Sequence, residues 1–150
     1  MLSISIIYKL NGGIIMNVKR MLLAALAVFV TIQVLDFLIH SLLLASMYEE
    51  TTEIWRPDMM QLMWIMYITS AFLSFLFVYI FTKGHQGKGV IEGAKYGFLI
   101  GLLIAVIGIL NQYVIYPIPL NMAIIWMVSG LIEFIVAGIV VALIYKPKTL

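Results

Sequence analysis

Polar and apolar positions in this chain are sorted into long blocks, with no period of two anywhere. Four apolar runs, roughly 21–47, 59–82, 90–115 and 120–145, are separated by short polar segments. Each run is longer than the about 20 residues a helix needs to cross the hydrocarbon of a bilayer. A segment in lipid must satisfy its own backbone hydrogen bonds, so each run is expected to be helical. The absence of period-two alternation excludes a transmembrane β-barrel. The pattern therefore predicts an all-α, polytopic membrane bundle of four transmembrane helices, forming one domain over residues 16–150.

Residues 1–15 show no such organisation and read as a weakly ordered N-terminal extension. Met16 opens a second basic-then-apolar start, MNVKRMLLAALAVFV, so Met1 and Met16 are both candidate initiators. The same stretch has the order of a signal peptide. Its apolar run is too long for a signal core, and no small-x-small cleavage site follows, which favours an uncleaved first helix.

The third run begins with a row of small residues at every fourth position: Gly89, Gly93, Gly97, Gly101 and Ala105. Glycine weakens helices in water, but in lipid it lets two helix backbones approach closely. The row is expected to be a helix-packing spine. It would serve either within one chain or between this chain and a homo-oligomer copy or membrane-protein partner.

The loops differ in charge. The first, Tyr48 to Asp58, is acidic and ends in Trp55-Arg56-Pro57, with the tryptophan suited to a membrane interface and the proline to a first helical turn. The second, Thr82 to Gly89, is basic and glycine-rich. It lacks the Gly-x-x-x-x-Gly-Lys-Ser/Thr pattern of a phosphate loop, so it reads as a tight turn whose lysines face anionic lipid. His85 within it is expected to be solvated. The third carries Tyr116-Pro117-Ile118-Pro119, which must interrupt the helix. Lys9, Lys19, Arg20, Lys83, Lys88, Lys95, Lys146 and Lys148 then fall on one side of a four-span layout and Arg56 alone on the other. The positive-inside rule places both termini in the cytoplasm.

Composition agrees with this layout: 64% of the 150 residues are hydrophobic, 11% are charged, and mean hydropathy is +1.12. Too little chain lies outside the runs for a separate soluble domain. The lack of cysteine removes disulfides, thiolate metal sites and thiol redox chemistry. No nucleotide, haem or nucleic-acid motif is present, no cofactor is implied, and no nucleophile stands beside a base.

Ionisable residues inside a membrane are costly and therefore informative. Asp36 and His40 are four apart on the first helix, and Gln33 shares their face. Glu133 lies near the middle of the fourth helix, on a face with Trp126, Ser129, Gly130 and Ala137. Counting about 1.5 Å per residue from the outer helix ends puts Asp36 and Glu133 at similar depth, with His40 above them. If the first and fourth helices are neighbours, the three form one cluster, with Gln112 and Asn111 of the third helix at its rim. Three readings compete: a structural polar cluster in which Asp36 pairs with protonated His40 and Glu133 is uncharged; a proton or ion path with His40 as outer gate; and a metal or small-ligand site. Two carboxylates and an imidazole suit a divalent metal, but no diagnostic ligand spacing is present. Met59, Met63 and Met66 form a stripe on the second helix, which fits adaptable packing better than Cu(I) binding. Arg56, the sole outer cation, is expected to pair with Glu49, Glu50, Glu53 or Asp58, or to meet an anion or lipid headgroup.

The span count, Trp55-Arg56-Pro57, the glycine row and Tyr116-Pro117-Ile118-Pro119 resemble those of small four-helix inner-membrane proteins of bacteria. That resemblance covers residues 16–150 and implies a multi-pass protein of the bacterial cytoplasmic membrane. It implies no activity and transfers no functional residue. The leading functional class is a non-enzymatic accessory or interaction subunit. A small ion- or proton-coupled transporter or channel using Asp36, His40 and Glu133 is the alternative, and a membrane enzyme acting on lipid or quinone is third.

Overall fold

A computed structural model describes residues 16–147. Its first helix, α1 (Val18–Leu43), is followed by a short helix, α2 (Ala45–Glu50), and then by α3 (Met59–Gly84), α4 (Val90–Ile115) and α5 (Leu120–Ile144). Among the described residues there is no strand. The fold is an all-α bundle. All its helices except α2 are long and apolar enough to cross a membrane. The N-terminal extension, with Lys9, and the last residues, with Lys148, lie outside the described residues.

The ends of α3, α4 and α5 fall within two residues of the expected ones, because local chemistry sets them. Asp58 precedes α3, and Pro119, with φ −59°, precedes α5. Proline is preorganised for that position and its missing N–H costs nothing there. The first helix departs from expectation. It starts at Val18 because the Asn17 side chain accepts a hydrogen bond from Arg20 N at 3.3 Å, an N-cap that hydropathy does not register. It ends at Leu43 rather than near residue 47. Its last seven residues, Phe37–Leu43, form a π-helical turn, and Leu44 leaves the helix at φ −101°, ψ 3° with its side chain buried. Apolar character continues through this point, so the run masks the change of direction.

The long helices stand side by side in the order α3, α1, α5, α4: α5 packs along both α1 and α4, and α1 along α3. The α4–α5 contact is the tightest. A Cβ at Gly93 would strike the Gly138 carbonyl, and one at Gly97 would strike the Phe134 carbonyl. At Gly101 it would come within 2.9 Å of the Leu131 side chain, and at Gly130 within 2.9 Å of Ala105 Cβ. Gly93, Gly97, Gly101 and Ala105 are thus applied to α5 of the same chain. Gly89 stands outside this contact. Its φ of +67° places it in the turn before α4, and a Cβ there meets nothing.

Arg20 donates to the Ile144 carbonyl at 3.1 Å, so the start of α1 and the end of α5 lie together. The α3–α4 loop with Lys83 and Lys88 is at the same end of the bundle, and Arg56 is at the other. At the basic end, α3 and α4 are joined through Tyr96, whose hydroxyl donates to the Phe77 carbonyl at 2.6 Å and whose ring packs on Phe77 and Phe81. The contiguous core fills this half of the bundle, with Ala24, Val28, Val78, Phe81, Ala137, Val141 and Tyr145 buried. The other half buries Leu44, Ile118, Met122 and Ala123 and carries a cleft beside them.

The basic loop corrects one expectation. The His85 side chain is only 9% exposed: it packs between Phe81 and Tyr145, with Nδ1 3.3 Å from the Glu92 carboxylate. Glu92 also accepts from the backbone N–H groups of Gln86 at 2.6 Å and Lys88 at 2.7 Å. Glu92 lies three residues after the helix-start residue Gly89 and reaches back over the turn, as in a capping box. The turn is therefore tied down from α4, and His85 is part of its packing.

A candidate ligand chamber in the outer half of the bundle

The outer half carries an open cleft of about 440 Å³, lined by residues of all the long helices and of the α1–α3 connection. His40 comes from α1, Met59 and Met66 from α3, Gln112 from α4, and Trp126, Ser129 and Glu133 from α5. Tyr48 and Trp55 come from the α1–α3 connection. Pockets for small ligands have volumes of about 300–1,000 Å³ and combine an apolar lining with a few placed polar groups.

Backbone irregularity surrounds this cavity. The π turn of α1 carries Ile39 and His40 into its wall, and a second π turn in α4, Leu102–Val106, carries Ile104 and Ala105 into it. A π turn adds a residue to a helical turn and is frequent at functional sites. Here it widens two facing helices at one level. In α4 it follows directly after Gly101 and includes Ala105, which packs against Gly130 of α5.

The polar groups are connected in part. His40 Nε2 lies 3.8 Å from Asp36 Oδ1, and His40 Nδ1 is 2.7 Å from the Tyr48 hydroxyl. An imidazole carrying its proton on Nε2, toward Asp36, accepts at Nδ1 from Tyr48. This carboxylate–imidazole–phenol chain runs from inside α1 to the α1–α3 connection. Its inner members are not sealed, with the His40 and Asp36 side chains 41% and 42% exposed. Burial of Tyr48, which lies beyond the end of α1, pushes its phenol up to about 12.

Glu133 is different. Its Oε1 is buried and has no hydrogen-bond partner among the described residues, and the same holds for Trp126 Nε1 and, at the basic end of the bundle, His85 Nδ1. Glu133 and Trp126 both line the cavity. The helices set their levels: Arg20 meets Ile144 and His40 meets Trp126, their ring centroids 6.3 Å apart. In that antiparallel register Glu133 is level with Ile32, about one turn deeper than Asp36. The two carboxyls are therefore staggered, because α1 ends earlier than its hydropathy suggests.

The expected cluster thus assembles in part. His40, Glu133 and Gln112 line one chamber, and Asp36 stands beside His40. Gln33 turns elsewhere, its amide donating to Ser70 Oγ on α3 at 2.9 Å. Asn111 is exposed. Arg56 is spent on Asp58, with Nε and one terminal nitrogen at 2.7 and 3.1 Å from its carboxylate oxygens. Among the described residues no group of three His, Cys, Asp or Glu side chains is placed to hold a metal ion.

Sequence reasoning missed the aromatic side of the cleft. Tyr48, Trp55 and Trp126 form a mutually packed set, with ring centroids 5.5, 6.0 and 6.2 Å apart, and His40 adjoins it. The α5 side of this set was legible, since Trp126 shares a helical face with Ser129, Gly130 and Glu133. Folding of Tyr48 and Trp55 back over that face depends on the reversal at Leu44, which no local signal announces. Comparison of the chain with protein-family models, curated proteins and solved structures gives no match. The chemistry of the chamber is what bears on function.

Proposed function

We propose that this chain is a small multi-pass protein of the bacterial cytoplasmic membrane, with both termini inside, that binds and translocates a small solute through the chamber at Glu133. The observation that carries the reading is the Glu133 side chain, which lines a cleft of about 440 Å³ and has one buried carboxyl oxygen without a partner among the described residues. A buried polar atom left unpaired costs about 1–3 kcal/mol. Gln33 is by contrast paired with Ser70. This favours the transport class over an accessory subunit with a structural cluster. The Asp36–His40–Tyr48 chain supplies groups able to pass a proton between the chamber wall and the α1–α3 connection. The basic end of the bundle, with Arg20, Lys83 and Lys88, supports the cytoplasmic orientation.

The test is flux in sealed vesicles containing the purified chain. A pH gradient is expected to drive solute or proton movement that Glu133→Gln abolishes and His40→Ala slows. Both variants should retain wild-type helicity. Equal flux in the Glu133→Gln vesicles, or none above empty vesicles for any solute tested, would return the accessory reading to first place.

A further inference from the structure

We infer that the solute class of this chamber is a small amphipathic organic cation, held between the aromatic set Tyr48, Trp55 and Trp126 and the carboxyl of Glu133. This rests on the chamber reading above and narrows it to one chemistry.

Independent features of the molecule point the same way. The first is the Glu133 side chain, which lines the cavity and has one buried carboxyl oxygen with no hydrogen-bond partner among the described residues; a cationic centre nearby would favour the ionised form of this carboxyl. The second is the aromatic set. Indole and phenol faces attract cations through the ring quadrupole, most strongly when desolvated, and aromatic walls are the recurrent means of holding alkylated ammonium groups. Tyr48, Trp55 and Trp126 all border the same cavity as Glu133. The third is the charge of the α1–α3 connection, which supplies Tyr48 and Trp55 to the lining. This segment carries Glu49, Glu50 and Glu53, all exposed, while its Arg56 is engaged by Asp58. An acidic surface on this connection raises the local concentration of cations and repels anions.

The remaining lining fits the organic part of such a solute. Met59 and Met66 offer flexible, polarisable surface that moulds to bulky groups, and Ile39, Ile104 and Ile109 are apolar. Among the described residues no lysine or arginine borders the cavity. An inorganic cation would need several oxygen ligands around it. Among the described residues Glu133 alone brings a carboxyl group to the lining, and this favours an organic cation.

The experiment uses the full chain in nanodiscs of neutral phosphatidylcholine, titrated with tetraphenylphosphonium and, separately, with tetraphenylborate. These ions share shape and apolar surface and differ in the sign of their charge. Saturable calorimetric binding of the phosphonium, with a change in tryptophan fluorescence, is expected, and no saturable binding of the borate. Glu133→Gln should weaken phosphonium binding by at least about tenfold, and Trp126→Leu or Trp55→Leu by about tenfold each. Trp55 lies outside the long helices, so that variant should fold even if an intramembrane one does not. Within the wild type the cation–anion contrast decides without any substitution. Equal binding of both ions, affinity for the phosphonium that survives all these substitutions, or no saturable phosphonium binding would each overturn the inference. Glu133-dependent flux without phosphonium binding would overturn the cation class alone. Glu133-dependent binding without flux would support the cation site and remove the transport reading.

Discussion

At the scale of single residues, the outer half of the bundle is decided by where polar atoms find partners. Thr31, Ser74 and Ser129 return their hydroxyls to carbonyls of the preceding turn at 2.7–2.8 Å, and Gln33 finds Ser70. Glu133 Oε1 and Trp126 Nε1 find no partner among the described residues. Their types and positions could be read from the chain, but whether each was paired could not, because pairing depends on the neighbouring helix. Tyr48 carries a prediction at this scale. Burial raises its phenol from 10.0 to about 12. A group whose folded value is raised contributes stability that is complete below the unfolded value and is lost as pH climbs through the folded one. Tyrosinate absorbance of the wild type minus Tyr48→Phe should therefore titrate near pH 12 in the folded protein, and the fold should weaken between about pH 10 and 12. A difference titration centred at 10 would mean that Tyr48 is not buried at the cleft.

At the scale of elements, the α4–α5 pair is a backbone-to-backbone contact made possible by missing side chains. In lipid there is no hydrophobic drive between helices, and close van der Waals packing takes its place. Gly97→Ala places a methyl group against the Phe134 carbonyl, which cannot move aside. It should destabilise the bundle by about 1–3 kcal/mol, read as a lowered midpoint in detergent-induced unfolding. Gly84→Ala, where a Cβ meets nothing within 4 Å, should show no such loss. Equal midpoints for the two variants would show that α4 and α5 do not meet through this row. The row's spacing was legible because helical periodicity is local. Its partner was not, since an i, i+4 row of small residues fits a neighbour in the same chain or in another. Gly89 kept the spacing but had left the helix. The π turns were likewise hidden, because a widened turn has no composition of its own.

At the scale of the whole molecule, the bundle is packed at its basic end and carries a cleft at its acidic end. The packed end is stabilised by Phe77, Phe81, Tyr96 and Tyr145 and by the Glu92 clasp over the 85–89 turn. The acidic end holds the cleft lined by Glu133 and Trp126. The natural chain has no cysteine, so single cysteines report topology without background. Thr52→Cys in intact cells should react with a membrane-impermeant maleimide, and Gln86→Cys should react only after the membrane is broken. The reverse pattern would place the acidic loop in the cytoplasm and contradict the proposed orientation.

What the sequence determined by itself follows from terms that are local or that count along the chain. Span number, helical character, three of the long helices' ends and the separation of basic from acidic loops all rest on hydropathy, proline and charge. The tertiary structure decided what depends on which helices are neighbours. The reversal at Leu44 brought Tyr48 and Trp55 over Trp126, turned Gln33 toward α3, and set Glu133 a turn below Asp36. It also left the space between them unfilled. His85, expected in solvent from its loop position, is buried because Glu92 and Tyr145 converge on it from different helices. In lipid every helix is apolar on all sides, so hydropathy does not mark an inward face. The choice of neighbours falls to small-residue rows, unpaired polar atoms and aromatic contacts, whose partners lie far away in sequence.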